Sequence, residues 1–406
     1  MAISDHFLEG KKIIVVGGGI SGCAFVAALN KLWNPNLIRP EIVLFDRGPK
    51  DNSDTYSMAL HGDSINGGLV TLQQLGLLDK ALKHSVFGLR SGEFKIWDAN
   101  WKELISTKPK PWGGLPTASM RIPRSELRRI LLNDAEEAPA TFHWGVDCTS
   151  AKQLSDGRIR VAVEDKTGTI SAHDCDLLVV ADGAKSKIRS ALRPGDDLKF
   201  AGAVQMGGKA HFPSGIPDPI RDNWGILLSG QGVCCYFSAV DQHTVIWALS
   251  QQKPEPEVQP SFPTLKQEAL HIGRMFAEPF RTIVEATDPS TAFLHPAKDK
   301  EPFRHDDGHL RGVVFIGDAN HAVSPFAGNG ANLALKDGWD LAESLCTRTS
   351  LQEAISAYDN LGFARAADAV RTSHTRIDFA HCTSIKNSLF RAGLATGRWL
   401  MGMKRV

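Results

Sequence analysis

Two glycine-punctuated stretches hold the residue types and spacings that could do chemistry. In the first, Gly17, Gly19 and Gly22 stand at G-x-G-x-x-G spacing directly after the apolar run 13–16. Glycines so placed permit a tight turn, let backbone approach a pyrophosphate, and let the following helix pack closely on the strand. The N-terminus of that helix, expected over residues 21–32, would turn N–H groups and positive potential toward phosphate. A second apolar run, 41–45, ends at Asp46, which lies 24 residues past Gly22. That is near the spacing of about 20 at which an acid accepts hydrogen bonds from a ribose 2′-hydroxyl. Strand, glycines, helix, strand and acid agree on a bound ADP moiety. They leave FAD and NAD undecided.

The second stretch decides between them. The apolar run 312–316 enters Gly317-Asp318, and Pro325, Gly328, Gly330 and Asn332 follow before a helix carrying Leu333, Leu335, Trp339, Leu341 and Leu345. Asp318 at a strand's carboxyl end can accept hydrogen bonds from polyol hydroxyls. Gly328 and Gly330 leave backbone N–H groups free to touch a flat ring that side chains would block. An isoalloxazine gains negative charge at N1–C2=O on reduction, so these donors and the helix N-terminus would stabilise its reduced form. The pattern suits a flavin far better than a nicotinamide. With no second G-x-G-x-x-G, a permanent NADPH domain is not expected.

The elements that must position these residues can be read coarsely. Helical periodicity covers residues 64–78, with Ile65, Leu69, Leu72 and Leu75 on one face, and residues 121–133, where Leu127, Ile130 and Leu131 form a stripe and Arg124 stands at the entrance. Taken alone, Arg124 is an ordinary solvated charge. Residues 141–146, 151–154 and 158–164 read as strands of a meander, and 176–180 as a buried strand running into Asp182-Gly183. Between residues 200 and 251 the pattern turns antiparallel, with strands at 201–212, 224–229, 233–238 and 244–250. Alternation there offers one pocket face bearing Gln205, Gly207, Cys234, Tyr236, Thr244 and Ile246, with the opposite face nearly as good. Gln205 and Tyr236 could orient a polar group of a substrate.

Composition narrows the classes. A chain of 406 residues with 42% hydrophobic and 22% charged residues suits a large globular core of two domains. The net charge of +1, with no basic block interleaved with aromatics, gives no support to nucleic-acid binding. Seven scattered cysteines make no disulfide framework and suit a reducing, cytoplasmic compartment. His305, Asp306, Asp307 and His309 read as a polar turn and not as a metal site. No transmembrane run is present; residues 388–406 could pack as a terminal helix or touch a membrane surface.

Four segments in order resemble the class A flavin monooxygenases of the p-hydroxybenzoate hydroxylase fold, and among them the tetracycline-inactivating enzymes. They are Gly17 to Gly22 with Asp46-Arg47, Arg124 in its Pro-Arg-Ser-Glu-Leu context, Asp182-Gly183, and Gly317 to Asn332. The resemblance implies that Asp318 binds the ribityl chain of FAD, that Gly328, Gly330 and Asn332 border the pyrimidine, and that Arg124 reaches the cofactor. It assigns Asp182 to pyrophosphate and NAD(P)H handling, and Pro325 to the ring face where substrate and O2 meet. Two departures are Asp46 in place of the commoner Glu, and the lack of any arginine between Arg47 and Arg90.

The expected fold is therefore α/β. A Rossmann-like FAD-binding domain (9–85, 117–190 and 306–365) is interrupted by an antiparallel-sheet substrate domain (86–116 and 191–305), and 366–406 forms a C-terminal helical segment. The expected activity is NAD(P)H-consuming monooxygenation, in which a flavin C4a-hydroperoxide passes one oxygen atom from O2 to a small apolar or aromatic metabolite. Either NADPH or NADH would serve as transient co-substrate, and the protein would be a monomer or weak homodimer. A halogenase or dehydrogenase on the same scaffold is the enzymatic alternative, although no Trp-x-Trp-x-Ile-Pro segment appears. A flavin-binding redox sensor is the non-enzymatic one.

Overall fold

The computed structural model describes residues 6–51, 56–86, 93–137, 139–258, 260–305 and 310–383, and it divides into two compact units. Unit 1 takes the described residues within Met1–Ser85, Pro111–Lys199 and Lys298–Thr372; unit 2 takes those within Val86–Lys110, Phe200–Ala297 and Ser373–Val406.

Unit 1 is built on a five-stranded sheet in the order Val313–Phe315, Leu177–Val180, Lys12–Val16, Glu41–Asp46, Ala140–Trp144, and all its pairings are parallel. Its strands are apolar on both faces because both faces are covered. Ile13, Val15, Leu44, Val179 and Val314 pack with the opening helix Ile20–Leu32 and the later helix Gly330–Thr347. Ile14, Val16, Val43, Phe45, Leu178 and Val180 pack instead toward Val161, Val163 and Cys148 of a three-stranded antiparallel sheet. That meander comprises Asp147–Gln153, Ile159–Glu164 and Ile170–Cys175. Parallel pairing sends every carboxyl end to one edge of the main sheet, so Gly17, Asp46, Asp182 and Gly317 all emerge there.

Several expectations change. Ala140–Trp144 is a parallel edge strand of the main sheet beside Glu41–Asp46, and not part of the meander. The helix expected over 64–78 is confined to Gly68–Leu75: residues 64–67 turn tightly, Gly67 has His61 O 2.2 Å from where a Cβ would lie, and Gly76 at φ 80° ends the helix. Ile65, expected on the buried face, is therefore exposed. A strand, Ser119–Pro123, precedes the helix Arg124–Glu136 and pairs with Ser57–His61.

Unit 2 is dominated by a seven-stranded sheet in the order Phe293–Asp299, Lys199–His211, Thr244–Gln252, Val233–Ala239, Trp224–Leu228, Phe94–Asp98, Glu103–Thr107. Phe293–Asp299 is not among the expected strands; its Pro296 reads as a strand breaker, yet a sheet edge tolerates proline. One sheet face carries Val204, Met206, Leu227, Phe237, Trp247 and Leu249 into an apolar cluster with Leu265, Phe280 and Ile283 of the helices Phe262–Ile272 and Phe280–Glu285. The other face carries Gln205, Tyr236 and Ile246, each half-buried, in agreement with the alternation.

Gly207 is the exception on that second face. A Cβ there would lie 2.0 Å from Trp247 O and 2.8 Å from the Phe293 ring, so its lack of a side chain serves close strand packing. The expected pocket-lining position is therefore a strand-packing position. Gly207→Val is expected to destabilise the protein by about 3 kcal/mol, the upper range for overpacking, read as a lowered denaturation midpoint; a midpoint equal to wild type would contradict this packing.

Candidate functional site

Gly17 takes φ 104°, and a Cβ on it would lie 2.3 Å from Ala181 O. A Cβ on Gly22 would lie 2.0 Å from Gly17 O, which is the close helix–strand approach the motif requires. Gly19 by contrast has no protein atom within 4 Å of its Cβ position. Of the three, it is the glycine whose Cβ position faces open space.

Asp46 does more than its spacing reveals. Its two oxygens accept the N–H groups of Gly18 and Gly48, each at 2.6 Å, so the acid shapes both loops of the nucleotide site. Each oxygen keeps lone-pair capacity for a ribose hydroxyl. Arg47 beside it is exposed. Arg128, which is not among the residues expected at the site, is buried; its Nε donates to Gly18 O at 2.8 Å and its Nη1 to Lys50 O at 2.5 Å. Its guanidinium also lies 5.1 Å from the Trp144 ring centroid. A signal exists in the sequence: a charged residue adjoining the apolar stripe of Leu127, Ile130 and Leu131 implies fixed partners.

Asp182 follows the strand Leu177–Val180, and Ser186 caps the short helix Lys187–Leu192 by accepting from Arg189 N at 2.9 Å. Burial pushes the Asp182 carboxyl up, against the hydrogen bond from Ser186, and its Oδ1 is buried with no partner among the described residues. Gly183, at φ 85°, has no protein atom within 4 Å of its Cβ position.

In the second glycine stretch, Gly317 at φ 59°, ψ −143° reverses the chain after Val313–Phe315 into the single turn Asp318–His321. Asp318 is half-buried. Burial raises its carboxyl above the ordinary range, with His321 and Arg124 opposing only in part. Arg124 thus acts within range of Asp318, and its N–H donates to Tyr56 O at 2.9 Å. Pro325 and Gly328 are exposed; Gly328 adopts the left-handed conformation (φ 61°) and its N–H closes a turn onto Pro325 O. That donor is consequently not offered to a ring.

The helix Gly330–Thr347 begins without a side-chain cap from Asn329, leaving its first N–H groups without intrahelical acceptors. Gly330 is helical, not left-handed. Its Cβ position meets only Val323 at 3.5 Å and Asp318 Oδ1 at 4.0 Å. Asn332 departs further from expectation, because its amide is occupied inside the fold. Its Oδ1 accepts from His61 N (2.8 Å) and Gly68 N (2.9 Å), and its Nδ2 donates to Ala59 O (3.0 Å). His61 Nε2 also lies 3.1 Å from Gly328 O, so His61 joins the strand Ser57–His61 to this loop.

In unit 2, Gln205 and Tyr236 share the less buried sheet face, but Cys234 is covered. Buried His381 places Nε2 2.8 Å from Ser250 Oγ and 3.8 Å from Cys234 Sγ. Burial pushes the Cys234 thiol up to about 12, and it packs inside the sheet beside His381.

The donor set fits a dinucleotide with a flat ring. At one sheet edge lie open glycine backbone at Gly19 and Gly183, an orphaned carboxylate oxygen at Asp182, a half-buried acid at Asp318, and an uncapped helix N-terminus at Gly330. The sequence pattern of the FAD binding domain matches residues 11–373. Monooxygenase cfoF of Aspergillus candidus is 44% identical over 412 residues, covering 98% of both chains. Among solved structures, Klebsiella pneumoniae HpxO complexed with FAD and uric acid aligns with TM-score 0.77 at 21% identity, over 98% of this chain and 97% of that one. Tetracycline destructase Tet(55) aligns with TM-score 0.70 at 19% identity, over 97% and 96%. The chain belongs to the class A flavin monooxygenases, with their FAD-binding domain. It is an FAD-dependent monooxygenase.

Two substitutions test the ring-facing loop. Asp318→Ala is expected to weaken FAD binding by about 1.5–3 kcal/mol, the range for a charge-assisted hydrogen bond. Gly330→Val, for which the apoprotein has room, is expected to leave apoprotein melting nearly unchanged while lowering FAD affinity at least about tenfold, or 1.4 kcal/mol. FAD titrations of both variants check this; wild-type affinity in either removes that residue from the cofactor site.

Proposed function

We propose that this monooxygenase consumes NADPH or NADH and inserts one oxygen atom from O2 into a small aromatic or largely apolar metabolite. The observation carrying the reading is the convergence of Gly17–Gly22, Asp46, Asp182 and the Gly317–Gly330 loop at one edge of a parallel sheet, where open α/β sheets bind ligands. When bound, FAD supplies the hydride acceptance and oxygen activation. The chain's own residues bind and orient it.

In this reading Asp318 holds the ribityl hydroxyls, while Gly19 and Gly183 let backbone reach the pyrophosphate. Arg124 adds positive charge beside Asp318. The first N–H groups of the helix Gly330–Thr347, with its dipole, stabilise negative charge on the pyrimidine edge; aimed at charge that develops in the reaction, they lower its barrier more than ground-state contacts would. Asn332 holds the helix start in place through Ala59, His61 and Gly68, so its contribution to the ring is its backbone. Pro325, exposed on the loop, is the residue assigned to the substrate side. Gln205 and Tyr236 orient a polar group of the substrate from the open sheet face of unit 2.

The protein is inferred to work in the cytoplasm as a monomer or weak homodimer. Its buried cysteines, unpaired among the described residues, support a reducing compartment, and none of the described helices is long and apolar enough to cross a membrane.

The test is a panel of aromatic and polycyclic metabolites screened for substrate-dependent NADPH or NADH oxidation under labelled O2. One labelled oxygen atom is expected in the product. Label arriving from water, or a mass gain that depends on halide, would overturn the reading.

A further inference from the structure

Behind the Gly317-Asp318 turn lies a group of buried charges that the cofactor contacts do not use. Asp337, about two turns into the helix Gly330–Thr347, is fully buried, and its Oδ2 accepts the Gly317 N–H at 2.8 Å. The same oxygen lies 2.5 Å from His321 Nε2, and Oδ1 accepts from Arg365 Nη2 at 3.0 Å. Arg365 also pairs with Asp340 at 2.9 Å, and Asp340 pairs with Lys336. Arg365 and Lys336 therefore balance Asp337 and Asp340, and the group is neutral before His321 is counted. A proton on His321 leaves it with one net positive charge.

We propose that His321 is a fixed buried cation of the flavin loop, a positioning residue that keeps Asp318 ionised and favours the reduced, negatively charged cofactor over the oxidised one. This rests on the reading of Gly317 to Gly330 as the flavin site. His321 is 3% exposed and stands three residues from Asp318 in the same short turn. Its Nδ1 is buried without a partner among the described residues, so the ring is held through Nε2 and Asp337. Burial opposes charging the ring, but the charge and hydrogen bond of Asp337, followed by Asp318, outweigh it and move its titration upward. Asp337 is in turn held well below the ordinary carboxylate range: burial acts against this, and His321 and Arg365 overcome it.

The other groups facing this cluster do not replace that charge. Tyr358 is pushed well above its usual range by burial and stays neutral. Asp359 is engaged by His305 at 2.7 Å, and His305 Nε2 accepts the Phe315 N–H at 2.9 Å. Arg189 is directed to the carbonyl of Ala319 at 2.9 Å. Besides His321, Arg124 and, more weakly, Arg189 act on Asp318, and both come from other elements. The linkage has a definite sign. Stabilisation from His321 is fully present below about pH 6.5, the unperturbed histidine value, and is lost as pH rises through the elevated folded value.

The experiment combines two readouts on FAD-loaded protein. In nitrogen-15 histidine spectra taken at a pH above the ordinary histidine range, one imidazolium is expected to persist and to vanish in His321→Gln. The ratio of reduced-FAD to oxidised-FAD affinity is expected to fall about tenfold in His321→Gln, a drop of about 30 mV in two-electron midpoint potential. A purely structural histidine would lower both affinities together and leave the potential where it was. Absence of any imidazolium at that pH in wild type overturns the proposal even where the variant does not fold, as does an unchanged potential in a folded variant. Asp318→Ala separates the two levels: wild-type FAD affinity there would instead overturn the placement of the flavin loop.

Discussion

The cofactor half of this protein depends on how closely one helix can be approached from both sides. Ile20–Leu32 meets the first strand's turn at Gly22, whose missing Cβ would lie 2.0 Å from Gly17 O. On its other side it meets Gly338 of the helix Gly330–Thr347, where a Cβ would lie 2.7 Å from Phe25 N and 2.9 Å from Ser21 O. A side chain at either point would separate the backbones by more than neighbouring packing can absorb. The two contacts fix the turn after the first strand and the helix Gly330–Thr347 against a shared body. Gly317 completes the junction, its Cβ position lying 2.9 Å from Ser21 Oγ. Two motifs 300 residues apart, from Gly17 to Gly317, thereby become one rigid constellation.

Electrostatics follow from that compactness. Polar groups brought this close have little access to water, so each must be answered from inside. Asp46 answers the amides of Gly18 and Gly48, Arg128 answers the carbonyls of Gly18 and Lys50, and Asp337 answers Gly317. The turns at Gly18, Gly48 and Gly317 are thus each held by a charged side chain on the protein side. Charge-assisted bonds of this kind, stronger than neutral ones, preorganise the loops before any ligand arrives.

The parallel strands are legible in the sequence because strands covered on both faces read as unbroken apolar runs. Lys12–Val16, Glu41–Asp46, Leu177–Val180 and Val313–Phe315 all show that signature. Ala140–Trp144 reads as part of the wrong sheet because its edge position leaves it amphipathic, which resembles the meander that follows. Phe293–Asp299 is hidden because Pro296 breaks the usual strand pattern. At the site, a glycine is recognisable in the sequence but what its bareness serves is not. Gly19 faces open space and Gly207 is closed against Trp247, yet the letters are the same. Asn332 and Arg128 illustrate the same limit. Their partners lie in segments remote in sequence, so residue type announces a polar role without saying whether ligand or backbone receives it.

Asn332 shows what such a role means for the chain's chemical ageing and mutational neighbourhood. Its amide offers two-fold acceptance to His61 and Gly68 on one side and donation to Ala59 on the other. Conversion of that amide to an acid, by hydrolysis or by the smallest change of side chain, preserves shape and volume almost completely. It nevertheless sets an oxygen against the Ala59 carbonyl, a repulsion the helix dipole does not remove, at a position 1% exposed to solvent. The isosteric acid is therefore a poor substitute, and a shape-matched neighbour in sequence space is a distant one in energy.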